Sequence, residues 1–114
     1  MKVTIEAPFS LRDDDREVIN DKILSLKDYG SRFTGAEVYF KKDDGGEKPD
    51  LVKAEIVLRV PGKDLFTKHY HENAMTAFNQ SFQAIKRQVK DRRSKRNDHR
   101  SDVKEINNIV NDNF

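Results

Sequence analysis

Polar and hydrophobic residues alternate in four short stretches of the chain, at 2–7, 35–41, 51–60 and 65–70. Because successive side chains of a β-strand point to opposite faces, each stretch predicts a strand with one apolar face. The predicted inward residues of the first three strands are Val3, Ile5, Ala36, Val38, Phe40, Val52, Ala54, Ile56, Leu58 and Val60. In the fourth strand the inward positions Leu65, Thr67 and His69 become more polar.

Two further segments repeat their hydrophobic residues at helical spacing. The run from Arg12 to Asp15 offers several N-cap candidates for a first helix, of which Asp14 has the spacing of a capping box to Glu17; the helix is predicted to end near Tyr29, before Gly30. Its apolar side would consist of Val18, Ile19, Ile23 and Leu26. The second helix is predicted over 73–96, with an apolar stripe of Met75, Phe78, Phe82, Ile85 and Val89.

The predicted order of elements is β-α-β-β-β-α, with Pro61-Gly62 suited to the centre of a type II turn between the last two strands. An α+β fold satisfies every apolar face: a two-layer sandwich in which two helices cover one face of a four-stranded sheet, as in a double-stranded-RNA-binding domain. Residues 1–96 are expected to form this domain. The polar segment 97–114 is expected to be a flexible tail, with a short apolar stripe of Val103, Ile106 and Val110.

Charge is unevenly distributed. The chain of 114 residues has a formal net charge of +2, but residues 86–100 contain eight cations and two acids, a net of +6. A polyanionic partner explains a run of this density better than helix capping does, because each cation placed on a phosphate releases condensed counterions. Lys86, Lys90 and Arg93 would share one face beside the apolar stripe. Arg87 lies on the outer side, and Arg92 belongs to the same run.

The open face of the predicted sheet is a second candidate surface. It would present Tyr39, Val57, Phe66 and Tyr70 among the cations Lys2, Lys41, Lys53, Arg59 and Lys68. Aromatic rings and cations together can stack bases and bind phosphates. Cross-strand packing of aromatic and lysine side chains produces the same pattern, and this interpretation is favoured because no RNA-binding signature accompanies it.

Several classes of function are disfavoured by the residues present. The chain has no cysteine, and therefore no disulfide, thiolate nucleophile or zinc ribbon. His69 and His71 share a strand face, but a structural role is favoured because no third ligand stands at a metal-binding spacing. Without a catalytic triad, P-loop or dinucleotide loop, neither enzymatic activity nor a cofactor or small-molecule substrate is expected. A cytoplasmic protein without membrane contact is expected, since neither a membrane-length apolar run nor a signal-peptide core is found.

A set of short motifs occurs in order through KAEIVLRVPGKDLFTKHYHENAMTAF and the following KRQVK. The motifs are Lys53-Ala54-Glu55, Val60-Pro61-Gly62, Asp64-Leu65-Phe66, His71-Glu72 and Arg87-Gln88-Val89-Lys90, preceded by Lys22-Ile23 in the first helix. In this order and spacing, residues 1–96 resemble the short form of the ribosome hibernation-promoting factor family, which includes the ribosome-associated inhibitor also called protein Y. Asn79 and Ala84 depart from the pattern, at positions where relatives often have aspartate and lysine.

The resemblance implies the same sandwich fold and binding to the small ribosomal subunit and its rRNA, in the channel where messenger and transfer RNA meet. Such factors keep idle ribosomes intact under stress. Two modes of action stay open for this chain: it could promote the pairing of ribosomes, or it could silence single ribosomes. Off the ribosome it is expected to be a monomer. The implied contacts to rRNA phosphates are Lys22, Lys53, Lys86, Arg87, Lys90 and Arg93. Lys86 and Arg93 rest more on charge geometry than on the motifs, and Arg92 is added from the basic run.

Two other functions fit parts of the pattern. The layering suits a general double-stranded-RNA binder, and the apolar stripe of the tail suits a protein-interaction module that docks through residues 97–114. Binding that does not distinguish ribosomes from arbitrary RNA duplexes would favour the first, and loss of function on deletion of the tail would favour the second.

Overall fold

The computed structural model describes residues 2–29, 32–42 and 51–108, with side chains described as far as Arg92. Its elements follow the predicted order β-α-β-β-β-α, which confirms the α+β sandwich. They are β1 (Lys2–Glu6), α1 (Asp13–Ser25) with a 3-10 turn (Leu26–Tyr29), β2 (Gly35–Lys42), β3 (Val52–Arg59), β4 (Leu65–His71) and α2 (Ala74–Asn108). The predicted C-terminal glycine cap, Gly30, lies outside the described residues.

The four strands form one sheet in the order β1-β2-β3-β4. β1 runs parallel to β2, because α1 returns the chain to the same end of the sheet before β2 begins. β3 is antiparallel to both of its neighbours, and the register sets Lys53 between Lys41 and Tyr70. Every other residue of each strand therefore faces the helices, and the remaining residues form an open outer face.

The core lies between the inner face of the sheet and the two helices. The predicted inward residues of β2 and β3 are buried, and those of β1 are half-buried against the same core. The α2 stripe is confirmed by the burial of Phe78, Phe82, Ile85 and Val89, with Met75 partly buried at its start. In α1 and its 3-10 turn the prediction is confirmed for Ile19, Ile23 and Leu26, which are fully buried, and is wrong for Val18, which is 40% exposed.

Two polar residues lie inside this core and join α2 to the sheet. Ser81 is fully buried, and its hydroxyl donates a hydrogen bond to the carbonyl oxygen of Ala54 over 2.7 Å. The buried Thr67 hydroxyl donates to the carbonyl oxygen of Ser81 over 3.0 Å. Buried hydroxyls without partners would be destabilising, so these bonds explain why polar residues are tolerated in the inward positions of β4.

Helix ends differ from the prediction in two places. α1 begins at Asp13 and has Arg12 in the N-cap position, with no capping hydrogen bond from a side chain, so the assignment of Asp14 as the cap is wrong. Asp13, Asp14 and Asp15 instead occupy the first turn, where carboxylates interact favourably with the helix dipole.

α2 is capped at Asn73, close to its predicted start, where the side-chain oxygen of Asn73 accepts the backbone N–H of Thr76 at 3.0 Å. Its backbone remains helical to Asn108, beyond the predicted end near Arg96.

Gly62 occupies the turn between β3 and β4 with a φ of +93°, a backbone conformation that strongly favours glycine. We expect Gly62→Ala to lower the free energy of unfolding by about 1–2 kcal/mol. The cost is conformational rather than steric, because a Cβ added there would meet no atom within 4 Å. Thermal or denaturant unfolding measures it. Lys63→Ala at the neighbouring exposed position is the control, and equal effects of the two substitutions would contradict the prediction.

Candidate nucleic-acid interface

Three lysines converge at the contact between α2 and the segment formed by α1 and its 3-10 turn. The ammonium of Lys22 in α1 lies 5.3 Å from the ring centre of Phe82 in α2. Lys86 and Lys90 of α2 reach in the opposite direction and place their ammonium groups 5.1 and 4.9 Å from the ring centre of Tyr29. We call Lys22, Lys86 and Lys90 the helix-groove lysines.

The helix-groove lysines share one side of the fold because of local spacing on α2. Phe82, Lys86 and Lys90 follow one another at steps of four residues and therefore lie along one helix face. The aromatic faces orient the lysine stems by cation–π attraction, which neutralises none of the positive charge. Among the described residues none of the three ammonium groups forms an ion pair. This side of the protein therefore presents three oriented positive charges to an anionic partner.

The other predicted contact residues are divided among different surfaces. Lys53 is half-buried on the outer face of the sheet and forms a 3.0 Å ion pair with Glu55. There it borders a small depression together with Lys41, Lys42 and Tyr70. The sheet separates Lys53 from the helix-groove lysines, so no single flat surface of a partner can contact both.

The two arginines of α2 whose side chains are described, Arg87 and Arg92, also have different neighbours. Arg87 is exposed on the side of α2 that faces β4, where it borders a polar groove with His69. Arg92 donates a 2.9 Å hydrogen bond to the carbonyl oxygen of Pro61 and so ties α2 to the turn between β3 and β4. The side chain of Arg93 lies outside the described residues. As RNA contacts, all three residues stay predictions.

The outer face of the sheet is occupied by a network of charged and aromatic side chains around Glu37. The Arg59 guanidinium donates to the Glu37 carboxylate, at 2.9 Å for the shortest contact, and also pairs with Asp64. The Tyr39 hydroxyl donates to the same carboxylate at 2.7 Å. Arg59 and Tyr39 are therefore engaged with neighbours on the sheet, which agrees with the packing interpretation. Among the residues whose side chains are described, Phe66 and Tyr70 are the most exposed rings.

These bonds lower the pKa of Glu37 below its ordinary value of 4.5, first through the Tyr39 hydroxyl and then through the Arg59 guanidinium. The same bond raises the pKa of Tyr39, whose proton the carboxylate holds. Because the pKa of Glu37 is depressed in the folded state, the network contributes stability above about pH 4.5. That contribution is lost as the pH falls through the lowered pKa.

We expect an NMR titration of the Glu37 carboxyl carbon to give a midpoint below 4.5. Tyr39→Phe and Arg59→Gln should each move this midpoint upward, because the tyrosine hydrogen bond and the hydrogen bond and charge of the arginine all lower the pKa of Glu37. Tyr70→Phe removes a hydroxyl from the same sheet face and should leave the midpoint in place. A wild-type midpoint at or above 4.5 would contradict the network.

The role of Tyr29 was not visible in the sequence, where this residue marked only the end of the first helix. A signal was nevertheless present, because Lys86 and Lys90 lie four residues apart and an aromatic residue near the end of a neighbouring helix can contact both. Gln88 was also missed. Its amide donates a 3.1 Å hydrogen bond to the carbonyl oxygen of Phe66 in the edge strand β4. Both contacts join elements that are distant in the chain.

Both histidines of β4 make hydrogen bonds to other residues of the chain. His69 lies with Nδ1 3.3 Å from the Ser81 hydroxyl, and Nδ1 of His71 accepts the backbone N–H of Asn73 at 3.0 Å. Within residues 2–29, 32–42 and 51–92, no group of three or more potential ligands is placed to hold a metal ion. In the part of the chain that the structure describes, no helix is both long and apolar enough to cross a membrane.

Two solved structures share the fold of this chain. A crystal structure of the Protein Y N-terminal domain from Thermus thermophilus superimposes with a TM-score of 0.61 at 21% identity, covering 78% of this chain and 92% of that one. A ribosomal subunit interface protein from Coxiella burnetii superimposes with a TM-score of 0.66 at 10% identity, covering 82% and 99%. Identities this low establish the fold alone. No curated protein sequence matches the chain.

Residues 3–97 match the family model described as Sigma 54 modulation protein / S30EA ribosomal protein. The matched segment contains β1 to β4, α1 and the part of α2 that carries Lys86 and Lys90. It also contains the ordered motifs on which the sequence resemblance rested. The match extends over most of the chain, and the protein therefore belongs to the Sigma 54 modulation protein / S30EA ribosomal protein family.

Proposed function

We propose that this protein is a ribosome hibernation factor. It binds the small ribosomal subunit through rRNA, occupies the channel used by messenger and transfer RNA, and stabilises idle ribosomes under stress without catalysing a reaction. Membership of the S30EA ribosomal protein family supports an action on ribosomes. A structural neighbour is titled a ribosomal subunit interface protein, which supports a position at the subunit interface.

The observation that carries the proposal is the set of helix-groove lysines. Two different elements contribute them, and the rings of Phe82 and Tyr29 orient them before any partner is bound. Ammonium groups held in this way lose little additional freedom on binding phosphates, so more of the electrostatic attraction is available as affinity. Lysine contacts to phosphates carry no base preference, which suits a factor that recognises the shape of one large RNA surface.

The remaining predicted contacts have secondary roles in this proposal. Arg87 contacts RNA from the β4 side of α2, and Lys53 contacts it from the outer face of the sheet. Arg92 orients the turn that follows β3 through its bond to Pro61. A protein with cations on several sides suits a channel whose walls are RNA on more than one side, whereas a flat RNA surface would use one face only.

Cosedimentation with ribosomes from starved cells tests the proposal. We expect the protein in the ribosomal fraction at low salt, with the bound fraction falling as salt rises, and we expect separated small subunits to retain it better than large subunits. An excess of an unrelated RNA hairpin should not displace it. Absence from ribosomal fractions at both low and moderate salt would refute the proposal, and equal displacement by the hairpin would favour a general RNA binder.

The C-terminal segment separates this proposal from a protein-interaction module. Deleting residues 97–114 should leave ribosome cosedimentation largely intact, because the helix-groove lysines lie in the remaining sandwich. Full loss of binding in the shortened chain would favour the interaction module. Sedimentation of the free protein as a monomer would agree with the proposed action of a single copy on each ribosome.

A further inference from the structure

The hydrogen bonds around Ser81 determine which nitrogen of His69 carries a proton. The Ser81 hydroxyl has a single proton, which it donates to the carbonyl oxygen of Ala54 over 2.7 Å. Its oxygen can therefore only accept from His69 Nδ1, which lies 3.3 Å away. Nδ1 is then the protonated nitrogen, and Nε2 of the neutral ring is a hydrogen-bond acceptor. The buried serine fixes both the tautomer and the orientation of the imidazole.

His69 also borders a groove of about 540 Å³ between β4 and α2. The groove is also bordered by Thr76, Asn79, Gln80, Gln83, Ala84 and Arg87. Amide side chains can donate and accept, and Arg87 adds one positive charge, while no carboxylate is present among the described lining residues. Asn79 and Ala84 also line this groove, and neither adds a charge to it.

We propose that this groove binds one ribonucleotide of an RNA backbone, with its phosphate on Arg87 and its 2′-hydroxyl on His69 Nε2 and a neighbouring amide. This inference depends on the proposed function in one respect, which is that the ligand is RNA. The site would supply a preference for RNA over chemically similar backbones, which the helix-groove lysines cannot supply because ammonium groups recognise phosphate alone.

The dimensions and chemistry of the groove suit this ligand. Ser81 orients the His69 ring and lies six residues before Arg87 on α2, which corresponds to a rise of roughly 9 Å along the helix. The long arginine side chain can bring its guanidinium closer to the imidazole, so that one nucleotide could contact both groups. A 2′-hydroxyl is both a donor and an acceptor. Nε2 accepts its proton, and the amide of Gln83 or Gln80 donates to its oxygen. A guanidinium binds phosphate oxygens in two places at once, which orients the nucleotide.

The test compares two probes, an RNA hairpin and the same hairpin with 2′-fluoro in place of every 2′-hydroxyl, which removes the donor and keeps the phosphates. We expect wild-type protein to bind the hydroxyl form about three- to tenfold more tightly, the contribution of one net hydrogen bond. His69→Asn retains a donor for Ser81 but has no group at the Nε2 position, so it should abolish the preference. His71→Asn, at the next position on the same strand face, is the matched control and should keep it.

A second pair of variants keeps the test independent of the buried serine. Gln83 is exposed on α2, so Gln83→Ala should fold normally and reduce the preference. Arg87→Gln should weaken binding to both probes equally and flatten the salt dependence, whereas Lys63→Gln should do neither. Equal wild-type affinity for the two probes, or an undiminished preference in both His69→Asn and Gln83→Ala, would overturn the inference. Neither outcome would affect ribosome cosedimentation, whose failure would count against the proposed function instead.

Discussion

Replacing Phe78 with alanine is expected to lower the free energy of unfolding by about 3–5 kcal/mol, the largest effect of any single substitution considered for this protein. Phe78 is fully buried at the centre of the α2 stripe, and its ring lies 6.1 Å from that of Phe82. Truncation removes the ring and leaves a cavity that the neighbouring helix and sheet cannot fill. Small domains are stable by about 5–15 kcal/mol, so the loss is a large part of the total. Denaturant unfolding followed by circular dichroism measures it.

Phe66→Ala is the matched control for this prediction. It makes the same chemical change on the open face of the sheet, where the side chain is 46% exposed. Because nearly half of that residue's surface already contacts water, its truncation should cost much less than that of Phe78. Similar losses at both positions would show that the core does not lie between α2 and the sheet.

Replacing Lys22, Lys86 and Lys90 together with glutamine is expected to weaken ribosome binding by about 10- to 100-fold at physiological salt. The helix-groove lysines converge on one side of the fold and carry three positive charges, each of which displaces counterions when it contacts a phosphate. The slope of log affinity against log salt should therefore become shallower by about two to three. Cosedimentation over a series of salt concentrations measures both quantities. Glutamine retains part of the stem, so thermal unfolding should change little.

The control for the triple variant removes the same charge from another part of the surface. Lys2, Lys63 and Lys68 are exposed on the sheet and the β3–β4 turn, and their joint replacement with glutamine should have a smaller effect. An equal effect of the two triple variants would indicate that net charge rather than position controls binding. An unchanged salt slope in the helix-groove variant would show that these lysines do not contact phosphates.

Periodicity was sufficient to predict the strands and the helical stripes, because burial on one face imposes a repeat of 2 on a strand and about 3.6 on a helix. It was less reliable at the margins of a pattern. Val18 is adjacent to the buried Ile19 and has the correct spacing for the apolar side of α1, but it lies at the edge of that side and is exposed. Asp14 was one of three consecutive aspartates that could have capped α1, and the observed N-cap lies two residues earlier, at Arg12.

The candidate site was predictable only in part. Charge density and the order of the motifs were sufficient to predict Lys22, Lys86, Arg87, Lys90 and Arg92 as contact residues. Spacing along one helix, however, does not predict which side chains of a neighbouring helix or strand those residues contact. The structure orients Lys86 and Lys90 on Tyr29, ties Arg92 to Pro61 and places Arg87 beside His69. Each of these partners lies far away in the chain, so the contact depends on how the helices and strands pack.

The sequence by itself determined the type and order of the elements, the composition of the core and the family, since all of these depend on local periodicity or on motifs read in order. Only the tertiary structure decided which cations lie on the same side of the fold. Lys22 joins Lys86 and Lys90 because α1 packs beside α2, and Lys53 is separated from them because successive residues of β3 face opposite sides of the sheet. The buried Ser81 likewise acquires its role from Ala54 and His69, which reach it from two different strands. Such contacts are set by packing geometry, which no spacing within one segment encodes.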